Sequence, residues 1–255
     1  MIPIKMIVTD LDGTLLKSDK TISAYTASIF ESCRDMGIKV AFATARPIRA
    51  VKMLNLALSF DAAIYHNGAV IAIGSASQIL HSIEPKTANV VIRSALEMNP
   101  DAQIFVESQD VATTNFDATR LWKDVGFLTS DFLHPLTSSV DKINITMEND
   151  TQVTTIKSIL PDELYLIPTE NSVGMIMHRD ATKPSAIMEV SEHFGFSLHN
   201  VAAFGDDYND IEMLRACGVG VAVANAIDEA KVAADYICDA NDVDGVAKWL
   251  EEHVL

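Results

Sequence analysis

Two aspartates follow an apolar run near the start of the chain, in "MIVTDLDGT" (residues 6–14). Asp10 and Asp12 are two residues apart, so in an extended chain their side chains point in the same direction. Neighbouring carboxylates repel one another unless a cation lies between them, and oxygen-only ligands of this kind suit Mg²⁺. Taken alone, the stretch is equally well explained as a strand that ends in a turn, because Asp and Gly13 favour turns.

Further polar groups follow two other apolar runs and open one predicted helix. They are Thr44 and Arg46 after residues 38–43, Asp206, Asp207, Asn209 and Asp210 after residues 201–205, and Lys183 at a helix start. Taken singly, each has an ordinary explanation as a strand residue, a helix cap, a loop charge or a solvated lysine. Carboxylates around a hard dication, with a lysine and a hydroxyl, form together a site suited to a phosphoryl group.

Strands and helices alternate in the first and last parts of the chain. The predicted strands are residues 4–9, 38–44, 62–66, 201–205 and 219–225, and the predicted helices are residues 23–37, 47–58, 183–195, 209–218 and 242–254. This alternation predicts an α/β fold with a doubly wound, mainly parallel sheet and helices on both faces. Ligands bind such sheets beyond the carboxyl ends of the strands, where the candidate residues should meet.

The middle of the chain has a different pattern of predicted strands and helices. Residues 83–179 combine strand-like pieces with two helix-like ones, at residues 86–98 and 151–160, which indicates an inserted α+β domain. The predicted catalytic core then consists of residues 1–82 and 180–255. Four residues of the insertion could belong to its core, its surface or a pocket, namely Phe105, Phe116, Arg120 and Trp122.

The bulk properties exclude several classes of protein. The chain has 255 residues and a formal net charge of −16, which argues against a nucleic-acid partner. Its apolar runs are too short to span a bilayer, and its N-terminus lacks the pattern of a signal peptide, so we expect a cytoplasmic protein without membrane partners. The three cysteines have no metal or redox spacing and are expected to be reduced core thiols. Oligomeric state is not indicated.

Competing motifs fail in detail. A calcium loop that began at Asp10 would need glycine at its sixth position, where Leu15 stands. "HRD" at residues 178–180 is similar to a kinase catalytic loop, but Ser185 replaces the required asparagine. "GVGVAVAN" (residues 218–225) lacks the third glycine of a dinucleotide-binding fingerprint.

The motifs, in chain order, are "DLDGTLL" from Asp10, "FATARP" around Thr44, "NGA" at Asn67, Lys183, and "GDDYNDIEML" from Gly205. In this order the chain resembles the haloacid dehalogenase superfamily of phosphohydrolases, and within it the Cof-like branch with a large inserted α/β cap. Two positions depart from the pattern without removing a catalytic group: Pro184 stands where the branch usually has glycine, and Asp207-Tyr208 occupies a variable part of the last motif.

The resemblance implies a role for each matching residue. Asp10 would be the nucleophile that forms an aspartyl-phosphate, and Asp12 the acid that protonates the leaving oxygen and then activates water. Phosphate oxygens would be held by Thr44, Lys183 and Asn209. Mg²⁺ would be held by Asp10, Asp206 and the backbone carbonyl of Asp12. The supporting residues would be Gly13, Arg46, Asn67, Asp207 and Asp210. Crowding by the other carboxylates is expected to raise the pKa of Asp12 towards its acid role.

The expected function is therefore a Mg²⁺-dependent phosphatase acting on small phosphorylated metabolites, such as sugar phosphates or a phosphorylated cofactor. The inserted domain would close over the site and select the substrate. One alternative is a phosphomutase that uses the same intermediate. A second is a non-enzymatic metal or phosphate sensor, which the presence of both Asp10 and Asp12 disfavours.

Overall fold

A computed structural model describes residues 3–120, 126–147, 149–169 and 173–255; Trp122 and the side chain of Arg120 lie outside this description. The chain forms two compact units. The first, here called the core unit, consists of Met1–Leu80 and Thr182–Leu255, and the second, the inserted unit, of His81–Ala181.

Elements are numbered in chain order. The first segment of the core unit contains β1 (Met6–Thr9), α1 (Ala24–Asp35), β2 (Lys39–Ala43), α2 (Ile48–Met53), β3 (Ala62–Tyr65), β4 (Val70–Ile73) and β5 (Ala76–Ile79). Helix α1 begins as its sequence indicates, because the Ser23 side chain accepts the Thr26 N–H at 3.0 Å. It ends before Gly37, whose φ of +85° suits glycine.

The inserted unit follows. It contains α3 (Pro85–Met98), β6 (Ile104–Ser108), β7 (Val111–Thr114), β8 (Phe127–Thr129), β9 (Lys142–Thr146), α4 (Asp150–Ile159), β10 (Leu164–Thr169) and β11 (Val173–His178). The chain then returns to the core unit with α5 (Lys183–His193), β12 (Val201–Gly205), α6 (Ile211–Ala216), β13 (Val219–Val223), α7 (Asp228–Ala233), β14 (Tyr236–Cys238) and α8 (Gly245–His253).

In the part of the chain that the structure describes, eight strands form the core sheet in the order β14-β13-β12-β1-β2-β3-β4-β5. The six strands from β14 to β3 are parallel, and β4 and β5 continue the sheet in antiparallel pairing. Alternate residues of β12 face opposite sides: Ala203 packs with Ile187 of α5, and the Phe204 ring lies 5.4 Å from that of Trp249 in α8. The predicted α/β class with a mainly parallel sheet is confirmed.

The inserted unit has its own sheet and core. Its strands follow the order β10-β11-β9-β6-β7-β8 and are antiparallel except for the β7–β8 pair. Ile104 and Ile143 pack on one sheet face with Val91 of α3 and Ile156 of α4. Phe105 points to the opposite face, where it belongs to a small buried cluster with two alanines, and Phe116 packs against that cluster.

Several elements differ from the sequence-based expectation. Helix α2 ends at Met53 rather than near residue 58, because Asn55 has a left-handed φ of 46°. Helix α8 begins at Gly245 rather than at residue 242, because Asp244 is left-handed at φ 62°. Five elements had no prediction, namely the strands β5, β7, β8 and β14 and the short helix α7.

The three cysteines are buried and not disulfide-bonded, as expected of core thiols. Among the described residues, we find no helix with the length and apolar character needed to cross a bilayer.

Asp141 is a buried carboxylate of the inserted unit, and its Oδ1 atom has no hydrogen-bond partner. Burial raises its pKa to about 6, a donated N–H from Gln109 opposes the rise, and Glu107 adds to it. A raised pKa in the folded state favours folding below about pH 4, and this contribution is lost as the pH rises through about 6.

We therefore expect Asp141→Asn to increase the free energy of unfolding by about 1–3 kcal/mol near pH 8 and to change it little near pH 4. Thermal unfolding at the two pH values measures the difference. Asp131→Asn, which alters an exposed carboxylate of the same unit, is the matched control. An equal effect of Asp141→Asn at both pH values would contradict the expectation.

Candidate active site

The site lies at the carboxyl edge of the core sheet, where β1 and β12 end side by side. These strands are adjacent and parallel, with Thr9 paired to Phe204. The register is extended by one bond beyond the strand, since the Asp10 N–H donates to the Phe204 carbonyl at 2.9 Å. Asp10 and Asp206, the first residues after Thr9 and Gly205, are therefore brought to the same edge.

Lys183 places a positive charge beside Asp10. It is fully buried at the start of α5, and its Nζ atom donates to Asp10 Oδ1 at 2.6 Å and to Asp210 Oδ1 at 2.5 Å. Burial alone would lower the pKa of Lys183, but Asp10 and Asp210 outweigh it and raise the pKa above its usual value. The lysine therefore remains charged, and it links two loops of the sheet edge.

The start of α5 is fixed by local sequence. Thr182 is the N-cap, and its hydroxyl and the Ser185 side chain form a capping box. Gly68 permits close approach of this cap, because a Cβ atom there would overlap the Thr182 carbonyl, and its φ of +114° also suits glycine. The two features together set the position of Lys183.

Asp210 organises the loop after β12. Its Oδ2 atom accepts the backbone N–H groups of Asp206 at 2.9 Å and Asp207 at 3.2 Å. Gly205 leaves room for this arrangement, since a Cβ atom there would lie 2.5 Å from the Asp210 Cβ. Asp207 has a capping role, accepting the Tyr208 N–H at 2.7 Å. Asp210 is thus fully engaged by Lys183 and by its own loop.

Asp206 is positioned by the loop after β1. The Thr14 hydroxyl donates to its Oδ1 atom at 2.5 Å. Gly13 has φ +82°, and a Cβ atom there would overlap the Asp206 carboxylate. The Gly13 carbonyl in turn accepts the Asn225 side-chain N–H at 2.7 Å. Only glycine therefore allows this loop to pass so close to the acidic group.

The carboxylates of Asp10, Asp206 and Asp210 could hold a metal ion, since each offers an oxygen and these atoms lie within 4.8 Å of one another. Burial raises the pKa of Asp10 well above its usual range, against the effect of Lys183. Burial, reinforced by Asp210, raises the pKa of Asp206 to about 7. One lysine therefore does not neutralise the group, and a hard dication with oxygen ligands fits it. Of these three carboxylates, those of Asp10 and Asp206 accept fewer hydrogen bonds from the protein than that of Asp210 does.

Asp12 has different partners. Its carboxylate accepts hydrogen bonds from Arg46 Nε at 2.5 Å, from Arg46 Nη2 at 2.8 Å and from Lys20 Nζ at 2.8 Å. Burial alone would raise the pKa of Asp12, but the hydrogen bonds from Arg46 and Lys20 outweigh it, and the pKa is lowered. The expectation that neighbouring carboxylates raise this pKa is wrong, because two cations lie closer to Asp12 than the other acids do.

The remaining predicted residues form a connected network beside this edge. The buried Thr44 hydroxyl accepts the Arg46 N–H at 3.2 Å, and the Thr44 carbonyl accepts the Asn67 N–H at 2.9 Å. Asn209 donates from its side chain to Asn67 Oδ1 at 2.9 Å. Asn67 is left-handed with φ 53°, so the turn after β3 directs its side chain to Asn209.

Sequence reasoning did not single out Lys20 or Asn225. Asn225 follows β13, so the strand-end rule that found Asp206 could also have found it. Lys20 lies eight residues after Asp12 in an irregular loop, and no spacing rule marks it. Nor does the sequence show that the Thr14 hydroxyl donates to Asp206.

Buried carboxylates at a parallel sheet edge, with a buried lysine and a threonine, form a site suited to phosphoryl transfer. A family model described as haloacid dehalogenase-like hydrolase matches residues 7–250. The chain belongs to this family, and the resemblance to its Cof-like branch is confirmed.

Several named relatives are phosphatases. The chain is 30% identical over 260 residues to the 5-amino-6-(5-phospho-D-ribitylamino)uracil phosphatase YcsE of Bacillus subtilis (strain 168), covering 100% of this chain and 97% of the relative. It is 26% identical over 286 residues to the pyridoxal phosphate phosphatase YbhA of Escherichia coli (strain K12), covering 98% and 99%.

A solved structure has the same fold. The haloacid dehalogenase subclass IIB sugar phosphatase BT4131 matches with a TM-score of 0.83 and 23% identity, over 97% of this chain and 98% of that one. The family and its relatives together make the chain a phosphatase of this family.

Proposed function

We propose that the protein is a Mg²⁺-dependent phosphomonoester hydrolase that works through an aspartyl-phosphate on Asp10. The observation that carries the proposal is the state of the Asp10 carboxylate, which is buried, held through Oδ1 by Lys183 and adjacent to Asp206. Its second oxygen, Oδ2, is then directed as the attacking atom. Asp10, Asp206 and the Asp12 carbonyl would hold Mg²⁺, which would supply neutralising charge.

The reaction has two displacements. In the first, an Asp10 oxygen bonds to phosphorus, the bond from phosphorus to the substrate oxygen breaks, and Asp12 gives that oxygen a proton. In the second, Asp12 takes a proton from water, the water oxygen bonds to phosphorus, and the Asp10–phosphorus bond breaks to release phosphate. Asp10 and Asp12 thus both return to their initial states.

The contacts of Asp12 add a condition to this scheme. Because Arg46 and Lys20 lower its pKa, Asp12 is ionised in the free protein near neutral pH. It must therefore acquire a proton when substrate binds. An incoming phosphate group carries negative charge that competes with Asp12 for Arg46, and weakening of this ion pair raises the Asp12 pKa towards protonation.

Thr44, Lys183 and Asn209 are the proposed holders of the phosphate oxygens. The Asn209–Asn67 hydrogen bond fixes the orientation of one amide, and the capping box fixes the helix that carries Lys183. Positioning of this kind is the main contribution of a protein to phosphoryl transfer. Residues 83–179 are the proposed source of substrate selection.

We infer that the substrate is a sugar phosphate or a phosphorylated cofactor or its precursor. The relatives support this range, since one is named for a phosphorylated ribityl compound and another for pyridoxal phosphate. Transfer of the group back to a sugar, as in a phosphomutase, is the second candidate, because it uses the same aspartyl-phosphate.

The test is a turnover screen over metabolite monophosphates that includes hexose phosphates, pyridoxal phosphate and 5-phosphoribityl compounds. We expect release of inorganic phosphate with Mg²⁺ and its loss with EDTA, restored by added Mg²⁺. An isomeric sugar phosphate without phosphate release would instead identify a mutase. Absence of both products over the whole panel would count against the proposed function.

Replacing Asp12 by asparagine tests the acid–base role. We expect Asp12→Asn to slow both formation and hydrolysis of the intermediate, each by about 10²- to 10⁴-fold, the usual contribution of general acid–base catalysis. Rapid-quench measurement of phosphorylated protein separates the two steps, and Asp19→Asn, at an exposed position nearby, is the control. Unchanged rates for both steps would remove Asp12 from its role.

A further inference from the structure

A second group of metal-ligating side chains lies in the inserted unit, apart from the residues discussed so far. It consists of His81, His178 and Asp180. Each offers one ligand atom, and the three atoms lie within 4.8 Å of one another. We propose that these residues bind a divalent transition-metal ion of the Zn²⁺ type.

The two imidazoles lie close together. The rings of His81 and His178 are nearly parallel, at 6° between planes, and their centroids are 5.7 Å apart. Because the lone pair of an imidazole nitrogen lies in the ring plane, one ring must rotate about its Cβ–Cγ bond for both nitrogens to point at one ion. Both side chains are only partly buried, so an ion can reach them from solvent.

The turn after β11 supplies the third ligand. It is closed by the Ala181 N–H, which donates to the His178 carbonyl at 2.9 Å. This turn returns the Asp180 carboxylate to 3.8 Å from His178 Nδ1. Zinc bonds to nitrogen and oxygen of about 2.0–2.2 Å separate ligand atoms by about 3.4 Å, so the ligands need to move inward by about 1 Å.

Binding of a metal ion replaces one hydrogen bond of His178 with a bond to the metal. The Asp180 N–H donates to His178 Nδ1 at 3.2 Å. An ion on Nδ1 replaces this hydrogen, and an ion on Nε2 requires the tautomer with a proton on Nδ1, so the hydrogen bond is given up in both cases. Two partly exposed imidazoles and a carboxylate then complete three of four tetrahedral positions, with water as the fourth ligand.

The ligand types distinguish this site from the cluster of Asp10, Asp206 and Asp210 in the core unit. Imidazole nitrogen suits Zn²⁺, Ni²⁺ and Co²⁺, whereas Mg²⁺ prefers oxygen ligands in octahedral geometry. The net charge of −16 attracts cations to the protein in general. His81 is the first residue of the inserted unit, and Asp180 is next to its last, so a bound ion would link the two ends of that unit.

The experiment is a titration of the full chain with Co²⁺ in excess Mg²⁺, followed by visible absorption, in which intense d–d bands distinguish four-coordinate cobalt from the hydrated ion. We expect d–d bands that saturate at one Co²⁺ per chain and disappear on addition of Zn²⁺. His81→Ala and His178→Gln should each lose the bands. The glutamine retains an acceptor for the Asp180 N–H.

His134→Ala, at an exposed histidine of the same unit, is the matched control and should keep the bands. A parallel thermal-unfolding series should show a Zn²⁺-dependent rise in melting temperature in the wild type and in this control, lost in both ligand variants. Retained Mg²⁺-dependent phosphatase turnover shows that the variants are folded. Absence of the bands in the wild type, or their persistence in both ligand variants, would overturn the proposal.

Discussion

Asp10→Asn is expected to abolish phosphatase turnover, with a loss of at least about 10³-fold, or about 4 kcal/mol in activation free energy. The reason is that one substitution removes both the attacking oxygen and a proposed Mg²⁺ ligand. Asparagine keeps the shape of the side chain and can still accept the Lys183 hydrogen bond through its amide oxygen. Initial rates of phosphate release, measured with the best substrate of the screen, give the loss.

The fold should survive this substitution. The pKa of Asp10 is raised by burial, so the free energy of unfolding above neutral pH is reduced by its charge, and a neutral amide relieves that effect. Unfolding in EDTA is expected to show equal or higher stability for Asp10→Asn. Asp35→Asn, at an exposed position of α1, is the control for expression and handling.

The aspartyl-phosphate scheme requires the loss of turnover to be nearly complete. An Asp10→Asn protein with undiminished activity, purified away from other phosphatases, would refute the mechanism. The same protein should also fail to acquire covalent phosphate in a rapid-quench experiment, which a purely structural role of Asp10 does not demand.

The proximity of Asp10 and Asp206 could be predicted because it depends only on the order and direction of the strands. Both residues follow buried runs, and parallel strands place such positions at one sheet edge. Their sequence separation of 196 residues does not matter once β1 and β12 pair. The same reasoning placed Lys183 near the edge through the start of α5.

The partners of Asp12 could not be predicted in this way. Its position two residues after Asp10 indicated a shared direction, but the chain turns at once into an irregular loop. Its actual partners, Arg46 and Lys20, come from other loops, whose paths depend on side-chain packing. Because the pKa of a carboxyl group is set by the nearest charges, the sequence-based expectation for Asp12 had the wrong sign.

Backbone conformation explains the errors in helix length. Residues 54–58 have the apolar spacing of a helix, but Asn55 is left-handed and ends α2 early. Asp244 has the same effect at the start of α8. Asn and Asp tolerate this region better than most residues, but a sequence pattern does not show which of them adopts it.

The Lys183 ammonium group contributes to both stability and the proposed activity. Its ammonium group is fully buried between Asp10 and Asp210, so its charge offsets two carboxylates that otherwise repel each other. Removing one partner of a buried ion pair leaves an uncompensated charge, which typically costs about 3–5 kcal/mol. The lysine is also the proposed holder of a phosphate oxygen.

We therefore expect Lys183→Met to lower the free energy of unfolding in EDTA by about 3–5 kcal/mol. We also expect it to reduce turnover by at least about 10²-fold, from the loss of one charged contact to the transition state. Mg²⁺ should recover part of the stability, because the ion neutralises the same carboxylates, but little of the turnover. Denaturant unfolding with and without Mg²⁺, together with initial rates, measures both effects.

Lys86→Met provides the matched control, since Lys86 is an exposed lysine in the first turn of α3 and also adjoins a proline. It should leave stability within about 0.5 kcal/mol of the wild type, as is usual for exposed positions. Equal effects of the two substitutions would mean that the Lys183 ammonium group is solvated in the protein. A stable Lys183→Met protein with full turnover would show that the buried carboxylates need no internal cation, in which case neither the ion pair nor the phosphate contact assigned to this residue could stand.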